Sequence, residues 1–400
     1  MKEVFNLNFK YKTMYTRSHL LFLTSYAIWV SFALLRYTYI GKMFSFSHYR
    51  TEVSLIVLFL LALKFGDDGV YHIRNFIGLA ITFYIGIIEY FVQDRTVAIF
   101  ILCVFILSSG NVAFDDILKT ALLIDVCIFV VTVTLSIKGI IPNNVWDVGI
   151  RERYDLGFTY CTFSSHLMLF ITMIYCCIRK RISFSETMVL GFLNIWLFSY
   201  TDTRLDLFIV LPYLLYFYIW TIFSNTVNDH WFNRVLFEYG GIILASISIL
   251  AQAMYNPNIN LYVMFNNLLS NRLELGNNAI SEYGFHLFGQ QIKWVGQGSL
   301  KKNPLLTYNY VDCSFLKYTL NYGIIFSIML GIVLIYIGRR AIEKKNQALC
   351  VSLLFLYVFA MVDAELCVLA FHPFLLTAGE LLNPPVGGKN EKESEGHSFR

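Results

Sequence analysis

The chain is divided by short polar segments into long apolar runs, and this pattern limits its fold more than any other feature. Of its 400 residues, 57% are hydrophobic and 14% are charged, whereas soluble domains are typically about 25% charged. About 20 consecutive apolar residues span a bilayer as a helix, and lipid tolerates only helices or closed barrels as spanning structures. The runs are continuous rather than alternating, as in VLFLLAL at 57–63. The sequence therefore predicts an all-α polytopic membrane protein.

We predict one integral membrane domain, residues 1–382, followed by a flexible cytoplasmic tail of mixed charge at 383–400. The first 18 residues are polar and basic and lead directly into an apolar run, so no cleavable signal peptide is expected. The predicted spans number twelve and lie at residues 19–37, 51–65, 76–92, 97–110, 119–141, 157–178, 187–203, 205–223, 235–254, 314–337, 347–363 and 366–382.

Basic residues predict the orientation of these spans. Short loops rich in lysine and arginine stay in the cytoplasm, and twelve spans place three basic clusters on one side: the N-terminal segment, Arg179–Lys180–Arg181, and Arg339–Arg340 with Lys344–Lys345. Both termini are then cytoplasmic. The predicted external segments are 38–50, 93–96, 142–156, 201–204 and 255–313.

The last of these, a large extracellular loop at 255–313, is about 59 residues long, whereas connections are usually about 4 to 6 residues. Loops of such length are commonly functional. The sequence shows no internal repeat of the kind found in many transporters. Its eight cysteines form no C-x-x-C or Cys/His ligand pattern, and we expect neither a metal site nor a disulfide.

Several arginines lie in the predicted external segments, against the positive-inside tendency, and three of them stand out: Arg153, Arg204 and Arg272. The planar guanidinium donates to phosphate in bidentate fashion and stays charged. The three predict a site for a pyrophosphate group at the outer membrane surface. Alternatively, each arginine reaches to the interface or pairs with a neighbouring acid, as Arg204 could with Asp202 or Asp206.

Candidate proton acceptors lie in or beside the large loop: His286, Glu282 and Asp312. An imidazole titrates near neutrality and suits general base catalysis, but His286 could equally be a histidine on an amphipathic helix. Glu274 and Glu282 would share one helical face, although Gly276 and Asn277–Asn278 make a continuous helix doubtful. Asp312 could instead cap the tenth span.

Some signatures of other enzymes are absent from the sequence. It has no glycine-rich phosphate loop, no H-E-x-x-H and no G-x-S-x-G. The first external segment, YTYIGKMFSFSHYR at 37–50, contains no acidic residue. That argues against the lipid-linked glycosyltransferases that depend on a carboxylate at this position.

An ordered set of landmarks between about 150 and 375 resembles the Wzy-type polysaccharide polymerases of bacterial capsule and exopolysaccharide assembly, which are related to the O-antigen ligases. The landmarks are R-x-x-LGF at 153–158, T-x-T-R at 201–204, R-L-x-L at 272–275 with YG-x-x-LFGQ at 283–290, VD-x-SFL at 311–316, and D-x-E at 363–365. Each motif is weak alone, and their order and topological placement give the weight.

The resemblance implies a GT-C-like glycosyltransferase at the outer face of the bacterial inner membrane. It would join repeat units carried on undecaprenyl pyrophosphate, without a metal or cofactor, beside a flippase and a chain-length regulator and with no role for nucleic acid. Arg153, Arg204 and Arg272 would bind the donor pyrophosphate and stabilise the departing charge. His286, Glu282 or Asp312 would take the proton of the attacking sugar hydroxyl.

The chain departs from the family pattern at two places. TYCTFSS at 159–165 stands where many relatives have a histidine-proline-asparagine set, and Cys313 stands where asparagine is usual. Three other functions stay open: an O-antigen-ligase-like transferase, a lipid-linked oligosaccharide flippase or other transporter, and a membrane scaffold. A transporter would be expected to show internal repeats and charges deep within its spans.

Overall fold

The computed structural model describes residues 16–69, 73–93, 96–148, 151–223 and 231–382, and it is mostly helical, at 73%. The helices are α1 (Arg17–Leu35), α2 (Tyr39–Met43), α3 (Arg50–Asp68), α4 (Ile73–Phe91), α5 (Ala98–Ser108), α6 (Phe114–Ile137), α7 (Phe163–Arg179), α8 (Phe184–Thr201), α9 (Arg204–Phe223), α10 (Trp231–Ala253), α11 (Asn260–Leu268), α12 (Arg272–Tyr283), α13 (Gln297–Lys302), α14 (Ser314–Glu343), α15 (Gln347–Ala360) and α16 (Gly379–Leu382). A hairpin of β1 (Val145–Val148) and β2 (Arg151–Tyr154) precedes α7.

The exterior of the helical bundle is apolar. Within the described residues, five helical segments are long and apolar enough to cross a membrane, those of α1, α3, α6, α10 and α14. Bulky side chains point outwards from the bundle, as at Phe59, Phe83 and Phe208, which are 63%, 71% and 72% exposed. Such a surface suits lipid rather than water. The protein is therefore a helical membrane protein; the predicted tail at 383–400 lies outside the described residues.

Segments predicted to be external meet at one end of the bundle. Thr38 forms an isolated β-bridge with Phe158, which joins the first external segment to the hairpin region. The Gln93 side chain donates to the Gln290 carbonyl over 3.0 Å. This bond ties the end of α4 to the large loop.

Segments predicted to be cytoplasmic meet at the opposite end. Two ion pairs and one histidine–carboxylate contact join them there: Lys180–Asp115 at 3.6 Å, Arg340–Glu380 at 3.3 Å and His19–Asp116 at 3.3 Å. Helix α14 runs from one group to the other, since Ser314 at its start bonds to Asp363 and Arg340 near its end pairs with Glu380.

The centre of the bundle is formed by α7, α15 and the chain that follows α15. Most residues of α7 and α15 are buried, and α7 is enclosed on nearly every side. Residues 369–379 are buried without interruption. Polar groups carried by these elements are therefore shielded from lipid and available to one another.

The prediction of a helical span at 366–382 is wrong. After α15 the chain continues through turns and the 3-10 helix Phe374–Ala378 before the four-residue α16. Irregular backbone at membrane depth is tolerated where protein surrounds it, and this segment is buried among other elements. An apolar composition is common to a lipid-facing helix and a buried irregular segment, so hydropathy could not separate them.

The large loop at 255–313 contains the helices α11, α12 and α13. The doubt about helical continuity at Gly276 was wrong, because α12 runs unbroken from Arg272 to Tyr283. Gly276 serves packing, since a Cβ there would overlap the side chain of Gln252 on α10. The loop is therefore an ordered cap with its own helices.

Helix α14 is interrupted at Gly323, and the large loop inserts there. Gly323 has φ 91° and ψ 172°, a conformation that only glycine adopts readily. The backbone amides of Ile324 and Ile325 donate to the carbonyls of His286 and Leu287 over 3.0 and 3.3 Å. A Cβ on Gly323 would overlap the Leu287 carbonyl, so the missing side chain makes room for the loop.

Substituting Gly323→Ala is expected to lower the free energy of unfolding by about 1 to 3 kcal/mol, because alanine is strained at this φ and meets the loop backbone. Thermal unfolding of the purified protein would measure the loss, and limited proteolysis would detect release of the loop. Gly191→Ala is the control, since a Cβ at this helical glycine has nothing within 4 Å. Equal stability of the two variants would contradict the proposed insertion.

Candidate functional site

Three carboxylates surround one buried imidazole at the predicted external end. His166 lies in the first turn of α7 and is 2% exposed. Its Nε2 is 3.3 Å from Asp363 Oδ2 and 3.5 Å from Asp206 Oδ1. Its Nδ1 is 3.6 Å from Glu365 Oε2. Buried charged groups are costly unless they are paired. Four ionisable side chains buried together are therefore a candidate functional site.

The turn after α15 is fixed by the start of α14. The Ser314 hydroxyl donates to the Asp363 carbonyl over 2.6 Å and accepts from the Leu366 amide over 3.2 Å. The Asp363 carboxylate also accepts from the Ala364 amide over 2.7 Å. These bonds orient Asp363 and Glu365 towards α7, which explains why a short turn can present two carboxyl groups to one histidine.

Two arginines lie beside this group. Arg272, at the start of α12, places Nε 2.9 Å from Asp312 Oδ2. Arg153, in β2, donates from Nε to the Thr201 carbonyl over 2.7 Å and from Nη2 to Thr203 Oγ1 over 3.2 Å. Both guanidinium groups act electrostatically on His166. Arg153 and Arg272 therefore lie within electrostatic range of one imidazole although they come from different predicted external segments.

Lys317 adds a third cation. It lies in the first turn of α14, and its Nζ donates to the Tyr310 hydroxyl over 2.5 Å and lies 3.8 Å from the centre of that ring. The ammonium group acts on Asp312, Asp363 and Glu365. We define the ionic cluster as the following residues: Arg153, His166, Asp206, Arg272, Asp312, Lys317, Asp363 and Glu365.

Two neighbouring carboxyl groups of the ionic cluster differ in acidity. Burial and the adjacent Asp363 raise the pKa of Glu365 well above its ordinary value. Burial opposes ionisation of Asp363 as well, but His166, a hydrogen bond with Glu365 and Arg272 lower its pKa below the ordinary value. The pair therefore holds one proton, on Glu365, and Asp363 is the ionised member.

The tyrosines Tyr160, Tyr308 and Tyr310 border the ionic cluster and are partly buried. Burial and then Asp312 raise the pKa of Tyr308, so its hydroxyl stays protonated and can donate. Lys301 lies over the Trp146 ring at 4.3 Å, which brings the large loop to the hairpin. The cluster is thus bordered by aromatic rings of the kind that stack on sugars.

One subset of the ionic cluster has the composition of a metal site. His166, Asp363 and Glu365 each offer one ligand atom, and these atoms lie within 4.8 Å of one another. Nitrogen and carboxylate ligands suit several divalent ions. However, Arg153, Arg272 and Lys317 already supply positive charge beside these carboxylates, so a cation would compete with fixed side chains.

The six residues predicted from sequence fall into two groups. The structure brings Arg153, Arg272 and Asp312 into the ionic cluster. It does not bring Arg204, Glu282 or His286 there. Glu282 and His286 are exposed on the large loop, where His286 Nε2 lies 3.2 Å from the Tyr283 carbonyl.

The alternatives weighed for two of these residues are resolved by their contacts. Arg204 Nε lies 3.3 Å from Asp202 Oδ1, as expected if it pairs with a neighbouring acid. The suggestion that Asp312 caps α14 is wrong: Cys313 occupies the cap position without a side-chain bond, and Asp312 pairs with Arg272 instead.

His166 was missed by the sequence reasoning. It follows TYCTFSS at 159–165 directly, the segment in which the chain departs from the family pattern. A histidine in the first turn of an otherwise apolar run is the signal that could have indicated it. Asp363 and Glu365 stood out only as the landmark D-x-E at 363–365, and their partner across the bundle was not evident.

Comparison with known proteins found no matching family model, no matching curated protein and no matching solved structure.

Replacing Glu365 with glutamine should flatten the pH dependence of stability. Because the folded pKa of Glu365 lies above its ordinary 4.5, the folded state binds the extra proton, and stability falls as pH rises from about 4.5 through the folded pKa. Glutamine is neutral and can still donate to Asp363. We expect the melting temperature of Glu365→Gln to exceed that of the wild type by a few degrees near pH 8 and to match it near pH 5.

The control for this experiment is Glu282→Gln, which removes an exposed carboxylate outside the ionic cluster. Melting curves between pH 5 and pH 8 in one detergent provide the measurement. A wild-type curve that rises with pH over this range, or an equal effect of both substitutions, would show that Glu365 does not hold the proton.

Proposed function

We propose that the protein is a polysaccharide polymerase of the Wzy type. It transfers a growing glycan from undecaprenyl pyrophosphate to a sugar hydroxyl of another lipid-linked repeat unit, at the outer face of the bacterial cytoplasmic membrane. The observation that carries the proposal is the convergence of Arg153 and Arg272. Two arginines from separate segments, both expected from sequence to bind pyrophosphate, meet in one ionic cluster at one end of the bundle.

The two arginines suit a departing pyrophosphate. Each guanidinium carries five N–H donors, and Arg153 uses two of them on Thr201 and Thr203. Burial lowers the pKa of Arg272, but the neighbouring carboxylates outweigh this effect and raise it. The guanidinium group therefore stays protonated. As the bond between the anomeric carbon and the pyrophosphate oxygen breaks, fixed positive charge stabilises the oxygen that gains the electron pair.

The proton of the acceptor hydroxyl needs an ionised acceptor within the same cluster. Asp363 is ionised, retains 14% exposure of its side chain and touches His166. We assign it the role of base: the hydroxyl oxygen attacks the anomeric carbon, and its proton passes to Asp363. Asp312 holds Arg272 in place, and His166 orients Asp363. Glu282 and His286 are less suited to this role because they lie outside the cluster.

The architecture fits a GT-C-like membrane enzyme with twelve crossings. Eleven would be helical, namely α1, α3 to α10, α14 and α15, and the twelfth would be the buried segment at 366–382. The end bearing Arg179–Lys180–Arg181 would face the cytoplasm. Positive charge from arginine and lysine replaces the Lewis acid that a metal ion would supply, which supports metal-independent transfer.

Removing either clustered arginine should abolish most polymerisation. We expect Arg153→Gln and Arg272→Gln to lower the rate about 100- to 1,000-fold, the usual effect of losing one donor to a developing oxyanion. The control Arg204→Gln removes the same charge from a neighbouring surface site and should retain most activity. The assay uses purified protein and a lipid-pyrophosphate-linked repeat unit in EDTA, with folding checked by gel filtration.

Other outcomes would favour other functions. A product in which the glycan reaches a different acceptor, without lengthening, indicates a ligase. Movement of the lipid across vesicles without new glycosidic bonds indicates a transporter. If Arg204→Gln lost as much activity as the other two variants, the ionic cluster would not be the specific binding site for the donor.

A further inference from the structure

A second charged site lies at the other end of the bundle, far from the ionic cluster. A cavity of about 520 Å³ opens between the ends of α7 and α14 and the starts of α6 and α15. Five cationic side chains line it: Lys180, Arg181, Arg340, Lys344 and Lys345. Only two acidic side chains do so, Asp115 and Glu380. The lining therefore carries a net charge of +3.

The acids are already engaged with three of these cations. Asp115 lies 3.6 Å from Lys180, and Glu380 pairs with both Arg340 and Lys344. Within the described part of the chain, Arg181 and Lys345 have no carboxylate partner. Two cations on the wall of one cavity are thus left to bind an anion.

Backbone dipoles add to this positive potential. The first residues of α6 and of α15 line the cavity, and the N-terminal end of a helix carries partial positive charge and unbonded amides. The Asn346 side chain satisfies the Leu349 amide, whereas Ala113, at the N-cap of α6, gives no side-chain cap. Phosphate groups are common ligands where helix starts and cations meet.

The remainder of the lining mixes apolar and polar side chains. Phe114, Ile337, Ala341 and Leu349 form part of the wall beside Asn346, Gln347 and Thr377, so the cations have both kinds of neighbour. A free inorganic ion would make no favourable contact with the apolar side chains. A lipid headgroup joins a phosphate to an apolar body and matches both parts of the wall.

We propose that this cavity binds a phosphate group presented by an anionic membrane lipid. Basic pockets between membrane helices on the cytoplasmic side are suited to such headgroups. The lipid would bridge α7, α14 and α15 at the end where Arg181 and Lys345 lack acidic partners. This site is separate from the ionic cluster, and its existence does not depend on the proposed polymerase activity.

The test measures lipid binding by the full-length protein in a zwitterionic detergent. Native mass spectrometry is recorded with phosphatidylglycerol, with phosphatidylcholine and with sodium pyrophosphate at matched ionic strength. We expect phosphatidylglycerol to bind at least tenfold more tightly than phosphatidylcholine. The double variant Arg181→Gln/Lys345→Gln should lose about tenfold in affinity for phosphatidylglycerol.

A matched double variant, Arg179→Gln/Arg339→Gln, is the control. It removes two arginines from the same helix ends, where they pair with Glu186 and Glu343 outside the cavity lining. Its affinity for phosphatidylglycerol should stay within twofold of the wild type. If both double variants lost the same affinity for phosphatidylglycerol, the effect would be one of general surface charge, and the proposed site would be wrong.

The comparison of ligands distinguishes a lipid headgroup from a free phosphate group. Binding of pyrophosphate but not of phosphatidylglycerol, again lost in Arg181→Gln/Lys345→Gln, would overturn the lipid as the source while retaining the phosphate site. Equal binding of both lipids by the wild type would overturn the proposal outright. Because the wild type alone gives this comparison, the test stands even where a variant fails to fold.

Discussion

Lipid offers a protein no hydrogen-bond partners, and this constraint governs the whole molecule. Every backbone amide at membrane depth must be satisfied by the protein itself, so most of the chain is helical. The same constraint explains where the chain is not helical. Residues 361–379 turn irregularly because α7, α14 and their neighbours enclose them. Gly323 breaks α14 where carbonyls of the large loop satisfy the freed amides.

The constraint applies with greater force to charge. An ion in hydrocarbon is costly, yet Asp206 and His166 are almost completely buried. They are tolerated because opposite charges and a shared proton lie within the same cluster. Arg153, Arg272 and Lys317 lie near the acidic side chains, and the Asp363–Glu365 pair holds one proton between its two members. The three cationic side chains of this cluster suit the proposed site for a departing pyrophosphate.

The sequence predicted the helical class, and three of the six candidate residues that it indicated lie in the ionic cluster. Arg153, Arg272 and Asp312 were accessible because charges near the ends of apolar runs are conspicuous. His166 was not, since one histidine inside an apolar run gives no indication of the carboxylates it meets across the bundle. The last predicted helix failed for a related reason: hydropathy reports burial from water and cannot distinguish lipid from protein as the surrounding medium.

His286 shows the converse limit. Its position beside the landmark YG-x-x-LFGQ suggested chemistry, but the geometry gives that segment a different task. The carbonyls of His286 and Leu287 accept from Ile324 and Ile325, and Gly289 and Gly323 allow the two backbones to meet. In this segment the backbone makes the essential contacts and the imidazole remains outside. The landmark thus marks where the large loop is anchored to α14, at Gly323, ten residues beyond the cap residue Cys313. This anchor helps to hold α12 in place, and α12 carries Arg272 of the ionic cluster.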